Sequence, residues 1–178
     1  MIYSGLRLYS DLRYPEFYPY RKEKHMTKTD NRSNGNRFEQ ELSHILAENG
    51  FWSHVMQQNK NGQPADIIAV KGKFHTLIDG KVVSDASEGF PFKNIRENQR
   101  TAMRMFTRRS GELCYFAIRL PNDKDKLEPP YDNVRLISLS RIEVLEGRGH
   151  KSITPKMMET ETFMLKDWLD YSKSWAED

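Results

Sequence analysis

Phe38, Leu42, Ile45 and Leu46 recur at helical spacing and the run closes on Asn49-Gly50, which predicts a first helix from near Gly35 to that stop. The period then shortens. FWSHVM (51–56) predicts a strand, QQNKNGQ a loop, and ADIIAV (65–70) a short apolar strand rich in β-branched residues. Lys71-Gly72-Lys73 reads as a hairpin turn into a third strand, FHTLIDGKVV (74–83), which is followed by the loop SDASEG. Residues 93–109 predict a helix with Ile95, Gln99, Ala102, Met103 and Phe106 on one face. ELCYFAIRL (112–120) predicts a further strand, PNDKDKLEPPYDN a loop, VRLISL (134–139) a short apolar run, and residues 159–176 a final helix. In that last segment Met164, Trp168, Tyr171 and Trp175 form a stripe suited to packing on the domain or on a second subunit. This order of elements predicts an α/β fold, a mixed central sheet flanked by helices.

Composition narrows the class. At 178 residues the chain suits one domain, and with 30% charged residues and a mean hydropathy of −0.79 it excludes disordered and membrane-spanning classes. The opening MIYSGLRLYSDLRYPEFYPY interleaves Tyr, Arg and Asp where an export signal needs an unbroken apolar run. Cys114 has no partner for an internal disulfide, and both features predict a reducing, cytoplasmic setting. The net charge of +3 comes from residues 1–34, which hold seven Lys/Arg against four Asp/Glu, whereas 35–178 are balanced. We therefore expect a basic, aromatic arm over 1–34 and a single domain over 35–178. A start of translation at Met26, with 1–25 as an upstream extension, is the alternative reading of the arm. The five histidines show no paired metal-ligand spacing, so no zinc site is expected.

Asp79 and Lys81 lie two apart in a strand, so they share a face about 6 to 7 Å apart. Asp66 opens the preceding strand of the same hairpin, and antiparallel pairing can bring its carboxylate to Asp79 in a suitable register. Two acids and a lysine suit phosphodiester hydrolysis: carboxylate oxygens hold Mg²⁺, the metal acidifies a water, and metal and ammonium offset charge developing on the phosphate. Gly80 between them packs nothing as a strand residue, which fits a backbone that approaches a ligand closely. The bland reading of the same spacing is a surface ion pair, and spacing alone favours it. Downstream, Arg96, Arg100, Arg104 and Arg108 recur every four residues beside the apolar face, in a segment whose charge surplus attracts phosphate. Lys93, Lys71 and Lys73 are further candidate phosphate contacts.

The spacing of Asp66, Asp79 and Lys81, followed by GFPFKNIRENQ (89–99) and preceded by NRFEQEL (36–42), resembles the RecU-type Holliday junction resolvases of the PD-(D/E)xK nucleases. The resemblance implies a restriction-endonuclease-like core of order αβββαβ. It implies Asp66, Asp79 and Glu39 as metal ligands with the backbone at Gly80, Lys81 as the residue that places or activates water, and Gln99 turned into the cleft. On periodicity Glu39 and Glu41 are equivalent, and only the family pattern prefers Glu39. The implied partners are branched or four-way DNA, bound by Lys93, Arg96, Arg100 and Arg104 with Lys71 and Lys73, and a second subunit in a homodimer. Mg²⁺ is the implied cofactor, Mn²⁺ a substitute, and the implied host a bacterium or its phage. Asp79 stands where that family more often has Glu, and only QQNKNGQP separates the first two strands where RecU-type enzymes carry a longer junction-engaging insertion. The alternatives are a nuclease for flaps, forks or duplex, and a DNA-binding module without turnover.

Overall fold

The computed structural model describes residues 31–57, 63–83, 85, 87, 89–121, 131 and 133–176, with side chains from Arg37 to Ser174. Of the arm expected over 1–34, residues 1–30 lie outside the described residues, as do the start at Met26 and the side chain of Trp175, whereas 31–34 are not arm but the first turn of α1, which begins four residues ahead of the expected Gly35. The elements are α1 (Asn31–Glu48), β1 (Trp52–Val55), β2 (Ile67–Lys71), β3 (Phe74–Val82), β4 (Phe90–Pro91), α2 (Glu97–Ser110) and β5 (Tyr115–Arg119). They continue as β6 (Val134–Ser138), α3 (Leu139–Gly147), β7 (Ser152–Ile153), α4 (Pro155–Glu161), β8 (Phe163–Met164) and α5 (Leu165–Tyr171). Within the described residues the main sheet has six strands in the order β1-β2-β3-β5-β6-β8, and β4 pairs with β7 in a separate two-stranded ribbon.

β1, β2 and β3 form an antiparallel meander, and β3 pairs with β5 in parallel, so the sheet is mixed as expected. A parallel pair needs a crossover, and α2 supplies it, which puts that helix on one face of the sheet. The other face is covered by α1, whose stripe of Phe38, Leu42, Ile45 and Leu46 is buried against Ile67, Ile78, Ala117 and Leu136. Alternate residues of the same strands, Leu77, Phe116, Ile118 and Ile137, pack under Met103 of α2 and Ile142 and Leu145 of α3. Two cores thus sandwich the sheet, with β3 near its centre.

The structure corrects three expectations. The helix expected from residue 93 begins at Glu97, because Phe92–Asn94 form a 3-10 turn and Ile95 and Arg96 are extended. The single final helix is broken into α4, β8, α5 and a closing 3-10 turn (Ser172–Ala176): Thr154 caps α4 with Pro155 in its first turn, Thr162 is extended, and Phe163 and Met164 pair with Leu136 and Arg135 before α5 begins. α3 had no counterpart in the expected order, although Ser138 caps it by accepting from Arg141 N and Leu139, Ile142 and Leu145 bury its inner face. The C-terminal stripe is mixed, with Trp168 buried and Tyr171 exposed.

Candidate active site

The β2–β3 register pairs Ile67 with Ile78 and Ile68 with Leu77, so continuing it by one residue sets Asp66 opposite Asp79. The two strands part there. Asp66 N donates to Ile78 O at 3.1 Å, but Asp66 O turns away to accept from Met56 N at 2.7 Å. The Asp66 carboxylate fills the gap, its Oδ2 accepting from Gly80 N at 2.7 Å. Its Oδ1 accepts a longer bond, 3.4 Å, from Gln63 Nε2, a contact nothing in the loop-like QQNKNGQP announced. Asp66 is thereby held at the mouth of the hairpin.

Asp79 is wholly buried. Lys81, on the same face of β3, pairs through its ammonium with Asp79 Oδ2. Gln99, on the third residue of α2, donates from Nε2 to Asp79 Oδ1 and accepts at Oε1 from Arg96 N at 3.2 Å. The glutamine on the apolar face thus does two things, closing the helix N-terminus and orienting the carboxylate. Burial pushes the Asp79 carboxyl up to about 7; Lys81 draws it down, and Asp66 and Glu39 push it further up.

Glu39 of α1 completes the cluster electrostatically. Its carboxyl is also pushed up to about 7, first by burial, then by the Asp66 carboxylate, with Lys81 acting against both. Glu41 is committed elsewhere: it accepts from Arg37 Nε at 2.8 Å and from Arg119 at 3.2 Å. The two glutamates that periodicity left equivalent are therefore distinct in space. Gly80 is explained by packing, because a Cβ there would stand 3.2 and 3.3 Å from ring carbons of Phe38. The glycine lets α1 and Glu39 come down onto β3.

The oxygen donors of Asp66, Asp79 and Glu39 have the hard chemistry that Mg²⁺ takes, and the raised proton affinities of Asp79 and Glu39 are relieved by a cation. Among the described residues no three His, Cys, Asp or Glu side chains already stand together as a ligand cage. Lys81 holds one Asp79 oxygen and Gln99 the other, so room for a cation is made by moving one of them. The residues fit the ion once that contact is exchanged.

The expected DNA contacts divide sharply. Arg100 is buried, donates to both Glu146 oxygens at 2.7 and 2.8 Å, and reaches Phe92 O. Arg104 pairs with Glu97 at 3.0 Å and Glu143 at 2.5 Å. The Arg100 charge is taken up in the interior, whereas Arg104 is half exposed and engaged in surface ion pairs. Lys71 is buried too, its ammonium donating to Asn49 O at 3.0 Å and Ser172 Oγ at 3.4 Å over the Phe51 ring. Lys73 is exposed at the far end of the hairpin, roughly 20 Å along β3 from Asp79. Lys93 and Arg96 are exposed, and among the described residues no acid pairs with either side chain.

Two comparisons bear on this geometry. The family model described as archaeal Holliday junction resolvase (Hjc) matches residues 30–172. No curated protein sequence matches. Among solved structures, Archaeoglobus fulgidus Hjc, described as a Holliday junction resolvase from an archaeal hyperthermophile, superimposes with a TM-score of 0.55 at 20% identity. That alignment covers 76% of this chain and 99% of the other, and at such identity it speaks for the fold. The matched span runs from ahead of α1 into the turn after α5 and takes in Glu39, Asp66, Asp79, Lys81 and Gln99. With most of its length matched and its whole candidate site inside the match, this chain belongs to the archaeal Holliday junction resolvase (Hjc) family.

Proposed function

We propose that this junction-resolving nuclease of DNA recombination cleaves with a divalent metal, Mg²⁺ or Mn²⁺ in its place, held by Asp66, Asp79 and Glu39 beside the Gly80 backbone. The ion supplies Lewis acidity and a water of lowered pKa. The chain's own residues set the stage for it. Gly80 N–H fixes Asp66, Gln99 fixes Asp79, and Lys81 holds a positive charge where the scissile phosphate gains negative charge. Asp79 carries the reading: a wholly buried acid gripped by a lysine and a glutamine, opposite a second acid, suits catalysis better than a surface ion pair.

Branched DNA is the substrate class, with Lys93 and Arg96 as contacts near the site and Lys73 as a distant one. The GFPFKNIRENQ segment resembles RecU-type enzymes and is read as a local likeness around Lys93. That resemblance implies a bacterial or phage host, the matched family an archaeal one. A homodimer places two such sites on the two-fold symmetric junction, and cytoplasmic DNA is the setting. Its contact surface in this reading is an apolar groove of about 550 Å³ beside α2, lined by Ile68, Leu77, Met105 and Phe106.

The test is cleavage of a synthetic four-way junction, a flap and a linear duplex with Mg²⁺, with Mn²⁺ and with chelator. Junction cutting that needs metal and disappears in Asp79→Ala and Lys81→Ala is expected. Equal rates on all three DNAs would reject junction selectivity, and metal-independent cutting would reject the site chemistry. An Asp79→Ala variant as active as the parent would do the same.

A further inference from the structure

Gln63 stands three residues ahead of Asp66 in the connection from β1 to β2. Its Nε2 holds Asp66 Oδ1, and its backbone oxygen accepts from Asn98 Nδ2 at 3.4 Å. Asn98 and Gln99 are neighbours in the first turn of α2, so one helical turn steadies both acids: Asp79 directly and Asp66 through Gln63. The remaining polar atom, Gln63 Oε1, is buried and has no hydrogen-bond partner among the described residues.

The orientation of the amide follows from charge. An ionised carboxylate only accepts, so the amino end must face Asp66 and the oxygen is left bare on the same carbon. A buried bare acceptor is unfavourable, and an apolar side chain of similar size would avoid the cost if the position served packing alone. Water is the ordinary donor to an otherwise unsatisfied buried oxygen. We infer that Gln63 is a positioning residue: its amide nitrogen fixes Asp66, and its oxygen accepts a hydrogen bond from a water held at the Asp66 carboxylate. The inference rests on the proposed site at Asp66 and Asp79. The connecting segment QQNKNGQP is rich in Gln and Asn, and the orphaned oxygen is what singles Gln63 out.

Gln63→Met and Gln63→Leu keep the volume and remove both polar atoms. Full-length variants are compared with the parent by Mn²⁺ binding without DNA, junction binding in chelator, thermal unfolding, and junction cleavage across a Mg²⁺ titration. Expected are unfolding and metal-free junction binding like the parent's, a tenfold to hundredfold loss of Mn²⁺ affinity, and a Mg²⁺ midpoint for cleavage displaced upward by a similar factor. Parental Mn²⁺ affinity and parental cleavage in both variants overturn the inference. So does a lowered unfolding temperature with unchanged Mn²⁺ affinity, which marks a structural residue. Asp66→Ala runs alongside: if it cleaves like the parent, the site itself is wrong, whereas a dead Asp66→Ala beside unaffected Gln63 variants sinks Gln63 alone.

Discussion

Asp79 keeps its proton to about pH 7 because burial outweighs the attraction of Lys81, and Glu39 titrates in the same region for the same leading reason. The ordinary values are 3.8 and 4.5, so between about pH 4 and 7 the folded state holds protons that the unfolded chain has released. Stability from these groups is then complete below pH 4 and lost as pH rises through 7. The metal-free protein is expected to melt at a lower temperature at pH 8 than at pH 5. Asp79→Asn, which cannot ionise, should reduce that difference and abolish cleavage, while Mg²⁺ at pH 8 should raise the melting temperature of the parent far more than that of the variant. A parent that melts higher at pH 8 than at pH 5, without metal, would contradict the assignment. Gly80 gives a second residue-scale prediction: Gly80→Ala pushes a methyl into the Phe38 ring and should cost ~1 to 3 kcal/mol by denaturant unfolding, with Phe38→Leu recovering part of it. The shared face of Asp79 and Lys81 was legible because strand periodicity is strictly two. The choice of Glu39 over Glu41 was not, since it depends on Arg37 and Arg119 claiming Glu41.

At the scale of elements, α2 shows how one missed helix misassigns another. The order from α1 to β3 is readable, because each element has its own period and a turn to end it, whereas β4 and the 3-10 turn ahead of α2 are too short to show one. Leu139 closes the apolar run VRLISL and no element is expected between it and residue 159, so Glu143 and Glu146 have no expected place and the arginines opposite them look free in sequence. The signals for α3 were present in Ser138 as cap and Leu139, Ile142 and Leu145 as stripe. The break at Phe163 is less legible, since two residues pairing with Leu136 and Arg135 leave no period to detect. The pairing of α2 with α3 has a measurable consequence. Arg100→Ala should destabilise the fold by on the order of 2 kcal/mol, having removed a charged bidentate contact, yet leave the salt dependence of junction binding unchanged. Lys93→Ala should do the reverse, preserving stability and lowering the slope of log affinity against log salt by about one. Equal slope changes in the two variants would restore the arginine stripe as a DNA surface.

The whole molecule presents its sheet unevenly to solvent. α1 and α5 close one face, whereas on the other α2 and α3 cover the centre and leave the β1–β2 side open. There Met105, 54% exposed, lines the groove with Ile68, Leu77 and Phe106. Large apolar side chains grouped in this way mark a surface that associates. A four-way junction has two strands to cut and this chain carries one candidate site, so a two-fold pair built across that groove would match the symmetry of its substrate. Sedimentation of the parent at micromolar concentration should therefore give a dimer, and Met105→Glu, which sets a charge in the middle of the contact, should give a monomer with unaltered unfolding. On a junction, the parent should cut both strands within one binding event, whereas the Met105→Glu protein should release singly nicked product. A parent that sediments as a monomer, or a Met105→Glu variant that still dimerises and makes paired cuts, would move the subunit contact away from this face.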